Sequence, residues 1–181
     1  MSEIRIYTDT DMTNLLFTSC KKSRITEKLK ELGIRYEQWQ TDTNISAGAD
    51  PEFVMNAYRK DIDRLVAEEG YQTVDVISLA SDNPQKSELR QKFLSEHTHS
   101  EDEVRFFVAG EGLFTLHIGE KVAEVLCTQG DLISVPANTR HWFDMGPNPN
   151  FTAIRLFNDP EGWVAHCTGS EIAQHYNRLE N

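Results

Sequence analysis

Long apolar runs are missing from this chain, which nowhere approaches the roughly 20 consecutive apolar residues of a membrane-spanning helix. Its first stretch, Met1-Ser2-Glu3-Ile4-Arg5-Ile6-Tyr7, also lacks the apolar centre of a secretion signal. A soluble, cytoplasmic protein is expected. Cysteine is scarce: Cys20, Cys127 and Cys167 are odd in number, widely spaced and without a Cys-x-x-Cys pair. That excludes a disulfide scaffold and a thiolate zinc knuckle. Basic residues are outnumbered, 18 against 29 acidic, for a net charge of -11. Such a surface repels phosphate backbones and anionic lipid headgroups, so neither nucleic acid nor membrane is expected as a partner. Internal repeats and low-complexity stretches are absent too. With no break in composition, 181 residues fit one domain, since single cores grow to roughly 250 residues before dividing. We expect a monomer.

What is present changes character along the chain. Ile4–Tyr7 has strand character, and Thr8 to Ser23 is polar with one apolar patch at Leu15–Phe17. Arg24 to Leu32 repeats Ile25, Leu29 and Leu32 at helical spacing, with Gly33 as a stop. Ile34 to Trp39 alternates like a strand. Asp50-Pro51 starts a helix predicted to run unbroken to Glu69, ended by Gly70. Val74 to Leu79 is the next strand, and Ser87 to Leu94 a short helix. From His97 to Phe157 short strands alternate with turns, the pattern of a sandwich or barrel. Val104–Val108 and Leu113–Ile118 flank Gly110-Glu111-Gly112, a predicted hairpin. The tail, Glu171 to Leu179, is predicted as a short helix. The expected division is a barrel core over about 74–160, a helical and strand elaboration over 1–73, and a tail over 161–181.

The chemistry concentrates in His97-Thr98-His99-Ser100-Glu101-Asp102-Glu103. Residues i and i+2 of a strand share a face, so His97 and His99 present paired nitrogen donors, and Glu103 supplies an oxygen. A second block, Gly130-x5-Pro136-x4-His141, ends on a third imidazole. Taken alone, a His-x-His pair is more often a solvated surface feature. The short offset to Glu103, Gly110 seven residues later, and the second block together make a metal site of His97, His99, Glu103 and His141. Three nitrogens and one oxygen leave two positions open on an octahedral ion, whereas structural zinc is normally closed by four ligands richer in thiolate. Iron(II) and nickel(II) both suit this donor set. Open neighbouring positions suit a chelating substrate and dioxygen.

Those two blocks resemble the paired motifs of the cupin superfamily, whose fold is a jelly-roll β-barrel, mainly β with peripheral helices. Their context is similar to the acireductone dioxygenase family in particular: His97-Thr-His-Ser-Glu-Asp-Glu-Val-Arg105, then Val135-Pro-Ala-Asn-Thr-Arg-His-Trp-Phe-Asp-Met-Gly146, then Ala153-Ile-Arg-Leu-Phe157 followed by Gly162-Trp-Val-Ala165. Two departures from the general cupin pattern stand out, Asn138 in place of a glycine and no asparagine at the usual offset after His141. The resemblance implies cleavage of 1,2-dihydroxy-3-keto-5-methylthiopentene by dioxygen in methionine salvage. With iron(II) the products would be formate and 4-methylthio-2-oxobutanoate. With nickel(II) they would be carbon monoxide, formate and 3-methylthiopropionate. One ion per chain would be held by His97, His99, Glu103 and His141.

Arg105, two residues beyond Glu103, should share its inward face, and a buried guanidinium needs an anionic partner. A substrate oxyanion fits, giving Arg105 a catalytic and binding role; a salt bridge inside the barrel is the bland alternative. Phe93, Phe143 and Trp163 are the aromatics expected near the pocket, and Arg155 is a further candidate contact; ordinary core packing is the alternative for each aromatic. His117, His166 and His175 are not expected to ligate. Glu101 and Asp102 are expected to be wet or to support the ligands. The rival functions are another cupin dioxygenase acting on a flavonol or thiol, and a non-redox cupin such as a sugar isomerase, epimerase or small-molecule binder.

Overall fold

Two antiparallel sheets, laid face to face, account for nearly all of the strand residues. The computed structural model describes residues 1–159, 161 and 164–180. In chain order the elements are β1 (Glu3–Thr8), β2 (Asp11–Ser19), α1 (Lys22–Glu31), β3 (Arg35–Gln38), α2 (Pro51–Ala57), α3 (Arg59–Glu69), β4 (Thr73–Leu79) and α4 (Lys86–Phe93). They continue with β5 (His97–Thr98), β6 (Glu103–Ala109), β7 (Glu111–Ile118), β8 (Lys121–Thr128), β9 (Asp131–Val135), β10 (Arg140–Asp144), β11 (Phe151–Phe157) and β12 (His166–Cys167). One sheet has the order β12-β5-β10-β7-β8-β1-β2 and the other β3-β9-β6-β11-β4.

This is the mainly β architecture expected, although the two sheets remain separate rather than closing into one hydrogen-bonded barrel. The expected core boundary at residue 74 is too late. β1, β2 and β3 belong to the sheets themselves, and β12 adds a strand beyond residue 160. β2 escaped notice because it is an edge strand paired only with β1 and largely exposed, so burial imposes no alternation on it. The predicted hairpin at Gly110 is a corner. β6 pairs with β9 and β11 while β7 pairs with β8 and β10, so Gly110 carries the chain from one sheet to the other. Its φ of 77° and the close approach of the Asn150 carbonyl leave no room for a Cβ.

Alternation explains the layering. Phe107, Ile133, Phe151 and Ala153 from one sheet meet Ile4, Phe114, Leu116, Val125 and Phe143 from the other in the central core. The opposite faces of the same strands are also buried. Val104, Phe106, Ile154 and Leu156 point outward under Val54, Tyr58, Ile62 and Leu65 of the helices. On the far side, Tyr7, Val122 and Trp142 lie beneath Ala173 and Tyr176 of the C-terminal segment. That segment has a single 3-10 turn, Ile172–His175, in place of the expected longer helix.

The helix predicted over 50–69 is two helices. Asp50 caps the first as expected, accepting from the backbone N–H of Glu52 and Phe53 at 3.0 and 3.1 Å. It breaks at Tyr58 (φ -111°, ψ 15°), whose ring packs edge-on against Phe106 with centroids 4.6 Å apart. Burial of that ring overrides the local helical preference. Gly70 ends the second helix at φ 78°, as its position predicted.

Candidate metal centre

β5 and β10 bring the first two ligands together. His97 and His141 are directly opposed across the pair, so both side chains share the inner face. The chain then bends through Ser100–Asp102 and crosses to the other sheet, where Glu103 opens β6. One donor atom from each of His97, His99, Glu103 and His141 lies within 4.8 Å of every other, and all four residues are buried. Asn138 holds the turn that delivers His141. It has φ 62°, the left-handed region asparagine tolerates, and its N–H donates to the His99 carbonyl at 2.7 Å.

Backbone carbonyls orient each imidazole. Nδ1 of His97 lies 2.7 Å from the Ser95 oxygen, Nδ1 of His141 lies 2.7 Å from that of Thr139, and Nδ1 of His99 lies 3.2 Å from that of Val164. A carbonyl only accepts, so Nδ1 carries the proton in each ring and a neutral ring is left with its Nε2 lone pair facing inward. Oε2 of Glu103 then sits 2.9 Å from Nε2 of His141 and 3.2 Å from Nε2 of His99. Lone pairs converging on a carboxylate in a buried site call for a cation among them, so this donor set fits a divalent metal. Burial, reinforced by neighbouring His141, lowers the His97 pKa to about 4, keeping the ring neutral and ligand-ready at neutral pH. Burial pushes the Glu103 carboxyl up, but the Arg105 guanidinium, together with the neighbouring imidazoles, outweighs it and holds the group well below the ordinary carboxylate range.

The profile of the ARD/ARD' family matches residues 3–165. The chain belongs to this family. Acireductone dioxygenase of Alcanivorax borkumensis is 59% identical over 178 residues, covering 98% of each chain. That of Serratia proteamaculans is 56% identical over 180 residues, covering 99% of this chain and 100% of the relative. A solved structure, an acireductone dioxygenase from Bacillus anthracis with a cadmium ion in its active centre, superposes with a TM-score of 0.78 at 33% identity, covering 91% of this chain and 97% of that one.

Within this member of the ARD/ARD' family, two cavities adjoin one another, one of them reaching His99 and Glu103. One, of about 220 Å³, is lined by Lys92, Phe93, His99, Glu103, Arg105, Arg155 and Phe157. The other, of about 240 Å³, is bounded by Phe93, Arg105, Phe143 and Arg155 together with Ile77, Ser78, Leu79, Leu89, Met145 and Phe151. Arg105 faces inward as expected, but its Nε donates to Oε1 of Glu103 at 2.6 Å, so a ligand carboxylate is one of its anionic partners. Arg155, on β11, is directly opposed to Arg105 on β6 and on its other side to Asp75 on β4, to which it donates from Nε at 2.7 Å. Phe93 and Phe143 line the pocket, and Phe143 lies beneath the Arg105 guanidinium at 5.8 Å. Trp163 lies outside the described residues.

Asp102 proves to be a brace, accepting from the Tyr71 hydroxyl and the Ala137 N–H, each at 2.9 Å. Glu101 accepts from the Asn158 N–H at 3.1 Å. Sequence reasoning missed Asp75, and it missed the carbonyls of Ser95, Thr139 and Val164, which leave no trace in side-chain patterns. It also missed Leu89 and Met145, whose apolar identity is indistinguishable from ordinary core until the cavity is seen.

Proposed function

We propose that the chain is an acireductone dioxygenase, a metal-requiring enzyme that cleaves 1,2-dihydroxy-3-keto-5-methylthiopentene with dioxygen in methionine salvage. The observation that carries this reading is the convergence of three Nδ1-anchored imidazoles and one carboxylate, two of which, His99 and Glu103, line one part of a two-part cavity. His97, His99, Glu103 and His141 would hold the ion, iron(II) or nickel(II). When bound, it supplies Lewis acidity and a template for the diolate and dioxygen. The iron form would yield formate and 4-methylthio-2-oxobutanoate, and the nickel form carbon monoxide, formate and 3-methylthiopropionate.

The chain's own groups divide the remaining work. Arg105 and Arg155 border both cavities and give the anionic end of the substrate a positive wall. Asp75 orients Arg155, and Glu103 orients Arg105. The apolar lining of Ile77, Leu79, Leu89, Phe143, Met145 and Phe151 accepts the methylthio tail and keeps water from the reacting carbons. We infer that the protein works in the cytoplasm as a monomer on this small substrate, with no nucleic acid or membrane partner. Among the described residues no helix is long and apolar enough to cross a membrane.

The test is to strip the protein of metal, load it separately with iron(II) and nickel(II), and supply acireductone in air. Oxygen uptake with keto acid from the iron form and carbon monoxide from the nickel form is expected. Absence of oxygen uptake with either metal overturns the assignment in favour of a non-redox cupin.

A further inference from the structure

The four metal-binding side chains are unequally supported. Glu103 and His141 stand on β6 and β10, five or more residues long and paired on both sides. His97 and His99 depend on β5, a strand of two residues that meets β10 at a single register pair and the equally short edge strand β12 at two. Two such residues cannot hold their own register. Something outside the ladder has to hold them.

That anchor is visible on the other face of the sheet. Glu96 immediately precedes His97, so its side chain points away from the metal ligands. His117 follows Leu116, the core residue opposite His141, so it too lies on the outer face. His117 donates from Nδ1 to Oε2 of Glu96 at 2.6 Å, a bridge that passes over β10 and ties the start of β5 to β7. Glu96 is engaged on its other side as well. Its Oε1 accepts from the Thr168 hydroxyl at 2.7 Å and its carbonyl from the Thr168 N–H at 3.1 Å, fastening β12. Glu96 and His117 are 1% and 7% exposed, so the bond between them is shielded from water. The far nitrogen of His117 is buried and faces Asp9 at 3.5 Å. The ring is thus wedged between Asp9 and Glu96.

We propose that Glu96 and His117 are positioning residues for the metal centre, setting the reach of His97 and His99 from the opposite face of the sheet. The inference rests on the metal-site reading above. Removing the bridge leaves the ligands chemically intact but frees β5 to shift, which lowers affinity for the ion. H117L, E96A and H117N should be compared with the unaltered chain for nickel(II) affinity by competition with a chromophoric chelator, for the nickel(II) d–d absorption band, and for the Tm of the metal-free form. H117L and E96A are expected to weaken nickel affinity about tenfold, the scale of losing a group that orients a ligand, and to move the band. H117N, which retains an N–H donor near the Nδ1 position, is expected to recover most of the affinity. Should H117L fail to fold, E96A carries the test alone. A lower metal-free Tm in H117L and E96A, with affinity within about twofold of wild type and an unmoved band, makes the bridge purely structural and overturns the proposal. If the unaltered chain itself binds no nickel, the metal-site reading falls first and the positioning role falls with it.

Discussion

Arg105 donates its Nε proton to Oε1 of Glu103 at 2.6 Å, while Oε2 of the same carboxylate faces the imidazoles of His99 and His141. One oxygen of Glu103 is thereby engaged by the guanidinium, and the other is the one that would hold the ion. R105A should therefore act twice. It removes positive charge from the substrate wall, lowering kcat/KM by about 100-fold, and it frees Glu103 to rotate, weakening metal affinity by about tenfold. R105K restores charge without the planar fork and should recover only part of the rate. Steady-state kinetics at saturating metal separate the two effects, and near-normal turnover of R105A would remove Arg105 from the reaction.

Asp144 couples the pocket to acid stability. It sits at the end of β10, accepts from Arg90 Nε and Nη2 at 2.7 and 3.0 Å, and accepts the N–H of Gly146 and Leu179. Burial raises its pKa, but Arg90 and the two backbone donors outweigh burial and leave it below the ordinary 3.8. A depressed carboxyl contributes stability in full above its unfolded value and loses it as pH falls through the folded value. D144N should cost about 3 kcal/mol at neutral pH, as expected for breaking a buried pair. The gap between D144N and wild type should close as pH drops below about 4. Urea denaturation across that range measures it, and a gap that stayed constant would contradict the assignment.

Legibility in the sequence followed the physics of burial. The four ligands were readable because strand alternation and the Gly-x5-Pro-x4-His spacing constrain where a side chain points. α1, β3, β4 and α4 were readable because each is amphipathic or bounded by a breaker such as Gly33 or Asn83-Pro84. β2 was not, since an exposed edge leaves no periodic imprint. The break at Tyr58 was hidden because it arises from contact with Phe106, far away in sequence. The turn at Gly110 looked like a hairpin because a positive-φ glycine serves a hairpin and a sheet-to-sheet corner equally well. Asp75 illustrates the same limit. Its role depends on register with Arg155 across two strands about 80 residues apart, which no local window contains.

Gly112 provides a steric test of the aromatic wall. A Cβ there would approach Cε2 and Cζ of Phe143 to 2.5 Å and Cε1 of Phe107 to 3.1 Å. Both rings are buried in a packed core, so neither can yield without disturbing the pocket. G112A should lower stability by about 1–3 kcal/mol through overpacking and raise KM as Phe143 is driven toward the cavity. Thermal unfolding and substrate saturation curves check both, and an unchanged KM would place Phe143 outside the binding surface.

Leu89 tests where the substrate's tail lies. It lines, from α4, the cavity of about 240 Å³ together with Ile77 and Leu79, and none of the four ligands lines that space. L89F enlarges a side chain there while leaving the charged residues and the donor set unaltered. If the methylthio tail occupies this cavity, KM for the full-length acireductone should rise about tenfold, the scale of misfitting roughly one methylene in an apolar pocket. An acireductone with a shortened tail should bind normally, because its reacting end is unaffected, and its kcat should match wild type. The ratio of kcat/KM for the two substrates is the measurement. Equal losses on both would mean that L89F distorts the whole site, and no loss on either would mean that the tail runs elsewhere.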